Sequence, residues 1–416
     1  MAAETYPSNK WLRRFIDIHN WSYDEQDGVL STGNQKYAAG KFESCNITEL
    51  EAMLDKNHPG PEESGLTYQI IPDADVTKLI INAKEGEVFQ VASQLNALEM
   101  IDPTKTPEDD IEIYALDCTQ GPRAAMACLP GLFVRNYYGE YNKFNALHNL
   151  NIHPKNGYLL WDDDPQSVLD KLVGNENKIR IPYMKNTQVI GVSPINPAKV
   201  ERIEQDKYIH QVFTSSAPVD RYENGGDIQL QNRIAKILLK TAYRVCIGLS
   251  YLLRQSGKRV KCNLTLLGGG AFGNDMSDIC SALRWSLSYY RNYPIDIFIH
   301  IREDPTYITS LICGEKLKWS SISGPLIVYN APGTNEVKID FTDIEARYTI
   351  QIDGTHYNMK NHQKLILHTL LTNDLDGMYI VIHCLYGIRR VKAFRRGDKL
   401  GYINIDGDIR YFIANK

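Results

Sequence analysis

The sequence has no long apolar segment and no secretory leader. None of its segments approaches the ~18 apolar residues that a membrane-spanning helix needs. Its first residues, MAAETYPSNKWLRRF, lack the apolar core of a signal peptide. The sequence therefore predicts a protein without a membrane span that works in the cytoplasm.

An excess of one charge is also missing. Lys and Arg number 46 and Asp and Glu 50, which gives a formal net charge of −4. Proteins that bind the phosphate backbone of nucleic acids concentrate Lys and Arg on one surface. The composition therefore argues against a nucleic acid as the main ligand.

Cysteine pairs at metal-binding spacing are absent. The chain has eight cysteines, none in a CxxC pair and none with histidines at zinc spacing. A disulfide framework is unusual in a chain of 416 residues. We therefore expect buried thiols, no metal site and no redox cofactor.

The length predicts more than one core, because single domains usually span ~100–200 residues. The turn-forming run NHPGPEESG separates an N-terminal extension, residues 1–65, from an α/β section, residues 66–305. Loop-rich residues 136–190 are interpreted as an insertion in that section. Short apolar runs between turns predict a β-rich accessory domain over residues 313–416, whose strand edges would suit a partner-binding module.

The clearest part of the sequence alternates strands and helices. HQVFTSSAPV and RVKCNLTLL are predicted strands, with a long amphipathic helix from Ile228 between them. A helix over Met276–Tyr289 then leads to the strand IDIFIHI. This alternation is typical of an α/β fold with a parallel sheet and crossover helices.

Glycines cluster where the second of these strands ends. The run GGGAFGN, residues 268–274, leaves LTLL and enters a helix. At such a position, free backbone N–H groups and the helix dipole favour a phosphate, and glycines let the backbone approach it closely. A structural turn without a ligand is the alternative. The spacing matches neither GxGxxG nor the Gly-Lys-Ser/Thr loop, so the two common nucleotide folds are disfavoured.

Several motifs occur in an order that resembles one family. FQVASQLNALEM, DCTQGPRAAMAC, FVRNYY, VFTSSAPVDRY and LTLLGGGAFGN are similar to motifs of macrodomain-like proteins. That family resembles the poly(ADP-ribose) glycohydrolase branch and bacterial effectors that remove ADP-ribose from ubiquitin. The resemblance covers residues 36–304 and implies a three-layer α/β/α sandwich with a mixed, largely parallel sheet. For a secreted effector, it would place the protein in a host cell's cytosol.

The resemblance implies ADP-ribose-binding roles for three segments. Asp75, at a strand start, would accept a hydrogen bond from adenine, with a turn-forming Asp as the alternative. Gln94 and Asn96 would face the ribose from one side of a regular strand, with satisfied core amides as the alternative. The remaining implied ligand-binding residues open a helix over residues 122–134 or form the glycine run: Asp117, Thr119, Gln120, Gly121, Gly269, Gly270, Ala271, Phe272, Gly273 and Asn274.

Three acids follow the strand VFTSS and are the candidate catalytic residues. Asp220, Glu223 and Asp227 would lie near the distal ribose, where a carboxylate can activate water or stabilise an oxocarbenium-like state. The alternative is that Asp227 caps the following helix and Glu223 is solvated. The Glu-Glu pair that follows the glycine run in poly(ADP-ribose) glycohydrolases is missing. Asp275 and Asp278 stand there instead, which argues against cleavage of ADP-ribose chains.

Together these features predict a hydrolase that removes mono-ADP-ribose from modified protein side chains, with ADP-ribose as ligand and product. By the resemblance, its partners would be ADP-ribosylated proteins, with ubiquitin as one candidate. Two alternatives stay open: a non-enzymatic ADP-ribose reader, and a hydrolase or sponge of small NAD-derived signals. The linkage, the target and the oligomeric state are not determined by the sequence.

Overall fold

The computed structural model describes most of the chain up to residue 312 and a set of strands beyond it. The described ranges are 12, 15–59, 65–72, 75–109, 111–117, 119–160, 165–191, 207–222, 226–254, 258–302, 308, 311–312, 337–339, 349–352, 355–358, 365–371, 378–384, 390–395, 398–404 and 411–412.

Strands and helices alternate up to residue 301. In chain order they are β1 (Trp21–Asp24), β2 (Val29–Thr32), β3 (Gln35–Ala38), β4 (Lys41–Cys45), α1 (Ile47–Lys56), β5 (Thr67–Pro72), α2 (Val76–Ile81), β6 (Val88–Ala92), α3 (Gln120–Ala127), α4 (Leu129–Tyr137), α5 (Pro165–Leu172), β7 (Ile181–Gln188), β8 (Tyr208–Thr214), α6 (Ile228–Leu253), β9 (Val260–Thr265), α7 (Met276–Tyr289) and β10 (Ile295–Ile301).

The later part contains strands among the residues that the structure describes there. They are β11 (Val337–Ile339), β12 (Thr349–Ile352), β13 (Thr355–Asn358), β14 (Leu365–Leu371), β15 (Met378–Cys384), β16 (Arg390–Arg395), β17 (Asp398–Asn404) and β18 (Tyr411–Phe412). The expected β-rich character of this part is confirmed.

Two compact units divide the chain. The first comprises residues 1–57 and 75–283, and the second residues 58–74 and 284–416. In the first unit five strands pair in the order β9-β6-β8-β7-β4, and β1, β2 and β3 form a separate antiparallel sheet. In the second unit β5 pairs with β10 in parallel and with β18 antiparallel. Strands β13-β12-β11-β16-β17 form a further sheet there, and β14 and β15 form a hairpin.

The central strands of the first unit all point the same way. β6 pairs in parallel with β8 and with β9, whereas β7 and β4 continue the sheet antiparallel. The carboxyl ends of β6, β8 and β9 therefore meet at one edge. The predicted α/β class with a mixed, largely parallel sheet is confirmed.

Helices pack along this sheet in two groups. α3 packs against α2, α4 and β6, and the buried Gln211 side chain of β8 donates to the Ala124 carbonyl of α3 at 2.9 Å. The long α6 packs against α1 and α5 and runs along β7, β8 and β9. Both groups therefore pack against the central strands of the sheet.

Local structure departs from the sequence prediction at three points. The single helix predicted over residues 122–134 is wrong, because the chain forms α3 and α4 with Cys128 between them. Pro130, in the first turn of α4, lacks an N–H and its ring would clash with a preceding helical carbonyl, so α3 cannot continue. The strand expected to carry Gln94 and Asn96 ends at Ala92, and the strand predicted through Val219 ends at Thr214.

His210 of β8 is a buried group that should make the first unit acid-sensitive. Burial, with the charge of Lys185, lowers the pKa of His210 from 6.5 to about 4. Its Nδ1 lies 3.2 Å from the Asn186 N–H, a contact in which the neutral ring accepts. The folded protein binds this proton less readily than the unfolded chain, whose histidine has a pKa of 6.5. The free energy of unfolding is therefore highest above pH 6.5 and falls as the pH drops toward about 4.

We expect the free energy of unfolding to drop by about 2 kcal/mol between about pH 7 and about pH 5 through this residue alone. Urea titrations of the wild type and of His210→Gln at both pH values measure the contribution by difference. Equal losses in the two proteins would show that His210 is not the sensitive group.

Candidate functional site

Three loops follow the parallel strands whose carboxyl ends meet at one edge. They comprise residues 93–100 after β6, residues 215–222 after β8 and residues 266–275 after β9. Ligands of open α/β sheets bind at the carboxyl ends of such strands. The motif residues are therefore gathered on one edge of the first unit.

Asn274 ties the glycine run to the loop after β8. Its buried side-chain amide donates to the Ala217 carbonyl at 2.7 Å and to the Phe272 carbonyl at 3.3 Å, and its Oδ1 accepts from the Ser216 hydroxyl. The Phe272 carbonyl also accepts from the Val219 N–H at 2.8 Å. The predicted ligand-binding role of Asn274 stays a prediction, while the structure gives it a role in holding two loops together.

The tip of the glycine run presents free backbone donors. Among the residues that the structure describes, none accepts from the amide N–H groups of Gly270, Ala271 and Phe272. Gly270 and Ala271 are exposed, and a Cβ added to Gly270 would meet no atom within 4 Å. Successive free N–H groups in such a turn form a concave anion site.

Gly273 and Gly268 allow this turn to form. Gly273 has a φ of +65°, and its N–H donates to the Gly270 carbonyl at 3.0 Å. A Cβ on Gly273 would lie 2.9 Å from the Val219 carbonyl oxygen, and one on Gly268, with a φ of +79°, would lie 2.4 Å from Asn274 Oδ1. Side chains at these two positions would disrupt the loop itself.

Three aromatic rings cluster at the glycine run, and one of them, Phe272, belongs to the run itself. Tyr158 lies 5.1 Å from Tyr222 and 5.7 Å from Phe272 between ring centroids, and Tyr222 lies 5.9 Å from Phe272. Burial and the negative charge of Asp117 raise the pKa of Tyr222, so its phenol keeps its proton. Tyr158 comes from the segment interpreted as an insertion. Sequence reasoning missed it because that segment has no periodic pattern.

Gln94 and Asn96 do not lie on a regular strand, because β6 ends at Ala92. Their predicted contact with ribose stays a prediction. The buried Gln94 amide donates to the Met100 carbonyl at 3.1 Å and to the Tyr158 hydroxyl at 3.2 Å, and it accepts from the Met100 N–H at 3.0 Å. Asn96 Oδ1 accepts from the Leu98 N–H at 3.1 Å. The regular-strand interpretation is wrong, and both amides serve the fold of the loop.

A fully buried ion pair supports the same loop. The Arg135 guanidinium lies 3.0 Å from the Glu99 carboxylate, which also accepts from the Ser93 hydroxyl at 2.9 Å. Arg135 donates to the carbonyl of Ala97, which has a φ of +65°, and its guanidinium carbon lies 3.9 Å from the Phe213 ring centroid. An unpaired charge here would be costly to bury, so the pair holds the loop in one conformation.

The N-terminus of α3 also points to this edge. Gln120 accepts from the Ala92 N–H at 2.8 Å and donates to the Gln90 carbonyl at 2.7 Å. A Cβ on Gly121 would lie 1.9 Å from the Ala92 carbonyl oxygen, so only glycine lets the helix approach β6 this closely.

Asp117 and Thr119 precede α3 and determine where the helix begins. Asp117 Oδ1 accepts from the Thr119 N–H at 2.6 Å, and Thr119 occupies the N-cap position without a side-chain cap bond. The predicted helix start at Pro122 is wrong, since the helix begins at Gln120. The first amides of a helix have no intrahelical acceptor and can receive an anion.

Asp75 caps α2 and does not lie at a strand start, which corrects that part of the prediction. Its Oδ1 accepts from the Thr77 N–H at 3.0 Å and lies 3.9 Å from Arg123 Nη1. The second carboxylate oxygen has no partner among the residues described. The contact with adenine stays a prediction, and that oxygen is the one that could make it.

The candidate acids differ in what they contact. Asp227 is the N-cap of α6, and its Oδ1 accepts from Gln229 N–H at 2.7 Å and Leu230 N–H at 3.3 Å. Asp220 is exposed with a φ of +50°, its carboxylate has no hydrogen-bond partner within the described part, and its N–H donates to Gln231 Oε1 at 2.9 Å. Glu223 lies outside the described residues. Of the two acids described, Asp220 has the free carboxylate.

Two kinds of feature are absent from the ranges that the structure describes. No group of His, Cys, Asp and Glu side chains there is arranged to hold a metal ion. No helix there is both long and apolar enough to cross a membrane.

We expect Asn274→Ala to lower the free energy of unfolding by about 1–3 kcal/mol, because it leaves buried partners of the amide unpaired. Asn177→Ala, which removes an exposed amide, is the matched control and should change it by less than about 0.5 kcal/mol. Urea unfolding of both variants decides. Equal stability of the two variants would mean that Asn274 does not hold the loops.

Comparison with family models and with curated proteins gives no match. Among solved structures, the chain is similar to poly(ADP-ribose) glycohydrolase from Deinococcus radiodurans in complex with ADP-ribose, with 11% identity over 66% of this chain and 93% of that chain and a TM-score of 0.40. It is also similar to poly(ADP-ribose) glycohydrolase from Thermomonospora curvata, with 12% identity over 65% and 84% of the two chains and a TM-score of 0.35. At these values the function has to be argued from the residues of this chain.

Proposed function

We propose that this protein is an ADP-ribosylhydrolase that removes mono-ADP-ribose from modified protein side chains. The observation that carries the proposal is the set of three successive free amides at Gly270, Ala271 and Phe272, at the carboxyl edge of parallel strands. Backbone donors in this arrangement suit a phosphate group. The motif resemblance supplies the rest of the ligand's identity.

A diphosphate suits this edge better than a single phosphate. The glycine turn follows β9, and the N-terminus of α3 packs on the end of the neighbouring β6 through Gly121. Glycine turns and helix N-termini both offer backbone N–H groups to anions. ADP-ribose would place its two phosphates between them, with the distal ribose toward Asp220 and the aromatic rings of Tyr222 and Phe272.

Cleavage between ADP-ribose units in a chain is not part of the proposal. Asp275 and Asp278 follow the glycine run where poly(ADP-ribose) glycohydrolases carry two glutamates. The Asp275 carboxylate accepts from the Ser277 N–H at 2.8 Å, and hydrogen bonds from Ser277 lower its pKa. Asp278 pairs with Lys236 at 2.9 Å. Both acids therefore make structural contacts at the start of α7.

Asp220 is the proposed catalytic acid-base group. Hydrolysis breaks the bond between the anomeric carbon of the distal ribose and the target side chain, and a water oxygen bonds to that carbon. The Asp220 carboxylate would take the proton from the water and stabilise the positive charge of the oxocarbenium-like state. The departing side-chain atom takes up a proton from solvent, and Asp220 releases to solvent the proton that it took from the water.

A non-enzymatic reader is the second candidate function. It is favoured by the position of Asp227, because one of the three predicted catalytic acids has a structural role as the N-cap of α6. The binding site would be the same in both cases. The two functions differ only in whether a carboxylate acts on the glycosidic bond.

We expect ADP-ribose to bind more tightly than AMP and expect Gly270→Val to weaken ADP-ribose binding by at least about tenfold, because the side chain would cover the free amides. Gly139→Val is the matched control, since a Cβ at Gly139 also meets no atom within 4 Å. Isothermal titration calorimetry measures both, and thermal unfolding confirms that both fold. If ADP-ribose gives neither heat nor a thermal shift with the wild type, the proposed function is wrong.

We expect Asp220→Asn to reduce hydrolysis by about 10²–10⁴-fold, the range typical of a general acid-base group, with little change in ADP-ribose affinity. Asp227→Asn is the informative partner variant, because asparagine caps a helix as well as aspartate does. It should keep both stability and turnover.

Single-turnover assays on proteins ADP-ribosylated at arginine, glutamate or serine provide the measurement. If Asp220→Asn retains wild-type turnover on the linkage that the wild type cleaves, Asp220 is not the catalytic group. If the wild type cleaves none of them while binding ADP-ribose, the reader function is favoured.

A further inference from the structure

Arg221 lies directly against the glycine turn. A Cβ built on Gly273 would lie 3.0 Å from Arg221 Nε and 3.2 Å from its Cγ. The Gly273 N–H closes the turn onto the Gly270 carbonyl at 3.0 Å. The arginine side chain therefore runs beside the turn that presents the free amides.

The guanidinium of Arg221 is available to a ligand. It is an exposed side chain, and its Nη1 donates to the Asp220 carbonyl at 3.3 Å. Within the ranges that the structure describes it has no carboxylate partner. Lys236 of α6, by contrast, is paired with Asp278 at 2.9 Å. Since a guanidinium has five donors, most of those of Arg221 remain free.

The backbone on both sides of Arg221 is fixed. Asp220 and Tyr222 have φ values of +50° and +57°, which few non-glycine residues adopt. The Asp220 N–H is held by Gln231 Oε1 at 2.9 Å, and the Tyr222 ring packs on Phe272. These contacts hold the chain so that Arg221, between them, lies against the glycine turn.

We propose that Arg221 binds the phosphate groups of the ligand together with the amides of Gly270, Ala271 and Phe272. The ligand class is an organic diphosphate, because a guanidinium can bridge phosphate oxygens in pairs while the amides bind a neighbouring oxygen. The identification of that diphosphate as ADP-ribose rests on the proposed function. The anion site itself does not.

The test titrates inorganic pyrophosphate and ADP-ribose into the full-length wild type, Arg221→Ala, Arg221→Lys and the control Arg233→Ala, which removes an exposed arginine of α6. Arg221→Ala should weaken binding of both ligands by about 10- to 100-fold, as for a hydrogen-bonded charge pair. Arg221→Lys should fall between, because it keeps the charge but loses the paired geometry. Arg233→Ala should stay within about twofold, as a surface change outside the site.

The outcomes separate this inference from the proposed function. If the wild type binds pyrophosphate but not ADP-ribose, and Arg221→Ala loses pyrophosphate, the anion site stands and the proposed function fails. If the wild type binds ADP-ribose and Arg221→Ala binds each ligand as tightly as the wild type does, the function stands and the role of Arg221 is refuted. If the wild type binds neither ligand, both are refuted. Thermal unfolding checks that each variant is folded, and Arg221→Gln replaces Arg221→Ala if that variant does not fold.

Discussion

The side-chain amide of Asn274 joins the two loops on which the candidate site depends. It bonds to Ser216 and Ala217 after β8 and to Phe272 within the glycine run. These bonds close the glycine turn on itself, and the turn can then present its remaining amides to solvent. The parallel strands bring the loops to one edge, but their carboxyl ends alone would not fix the direction of the donors. A buried amide with several partners does so, because each broken bond would leave a polar group unpaired.

The sequence predicted elements well where hydrophobic periodicity was long and undisturbed. The helix from Ile228, the helix over Met276–Tyr289 and the strand IDIFIHI were found as expected. Local interruptions were missed. Pro130 divides a helix that composition alone presents as continuous. The strand expected to carry Gln94 and Asn96 ends at Ala92, and the loop after it is held by the ion pair between its own Glu99 and Arg135 of α4. Such long-range contacts have no local sequence signal.

At the candidate site too, local sequence features were predictable and long-range contacts were not. The glycine run and the acids after β8 each form one short segment, so residue types and order alone made them candidates for a site. Their individual roles were left open between alternatives. Asp227 turned out to cap α6 while the Asp220 carboxylate stays free, a difference that depends on where the helix begins. Tyr158 and Arg221 reach the glycine run by tertiary packing, so neither could be assigned from its neighbours along the chain.

The free amides of the glycine turn are the centre of this account, and magnetic resonance of protein carrying isotope-labelled glycine observes them directly. On titration with ADP-ribose, the amide resonance of Gly270 should move with the binding curve, because its N–H gains a charged acceptor, while that of Gly139 stays in place. Saturable binding of ADP-ribose that leaves the Gly270 resonance unmoved would contradict the account.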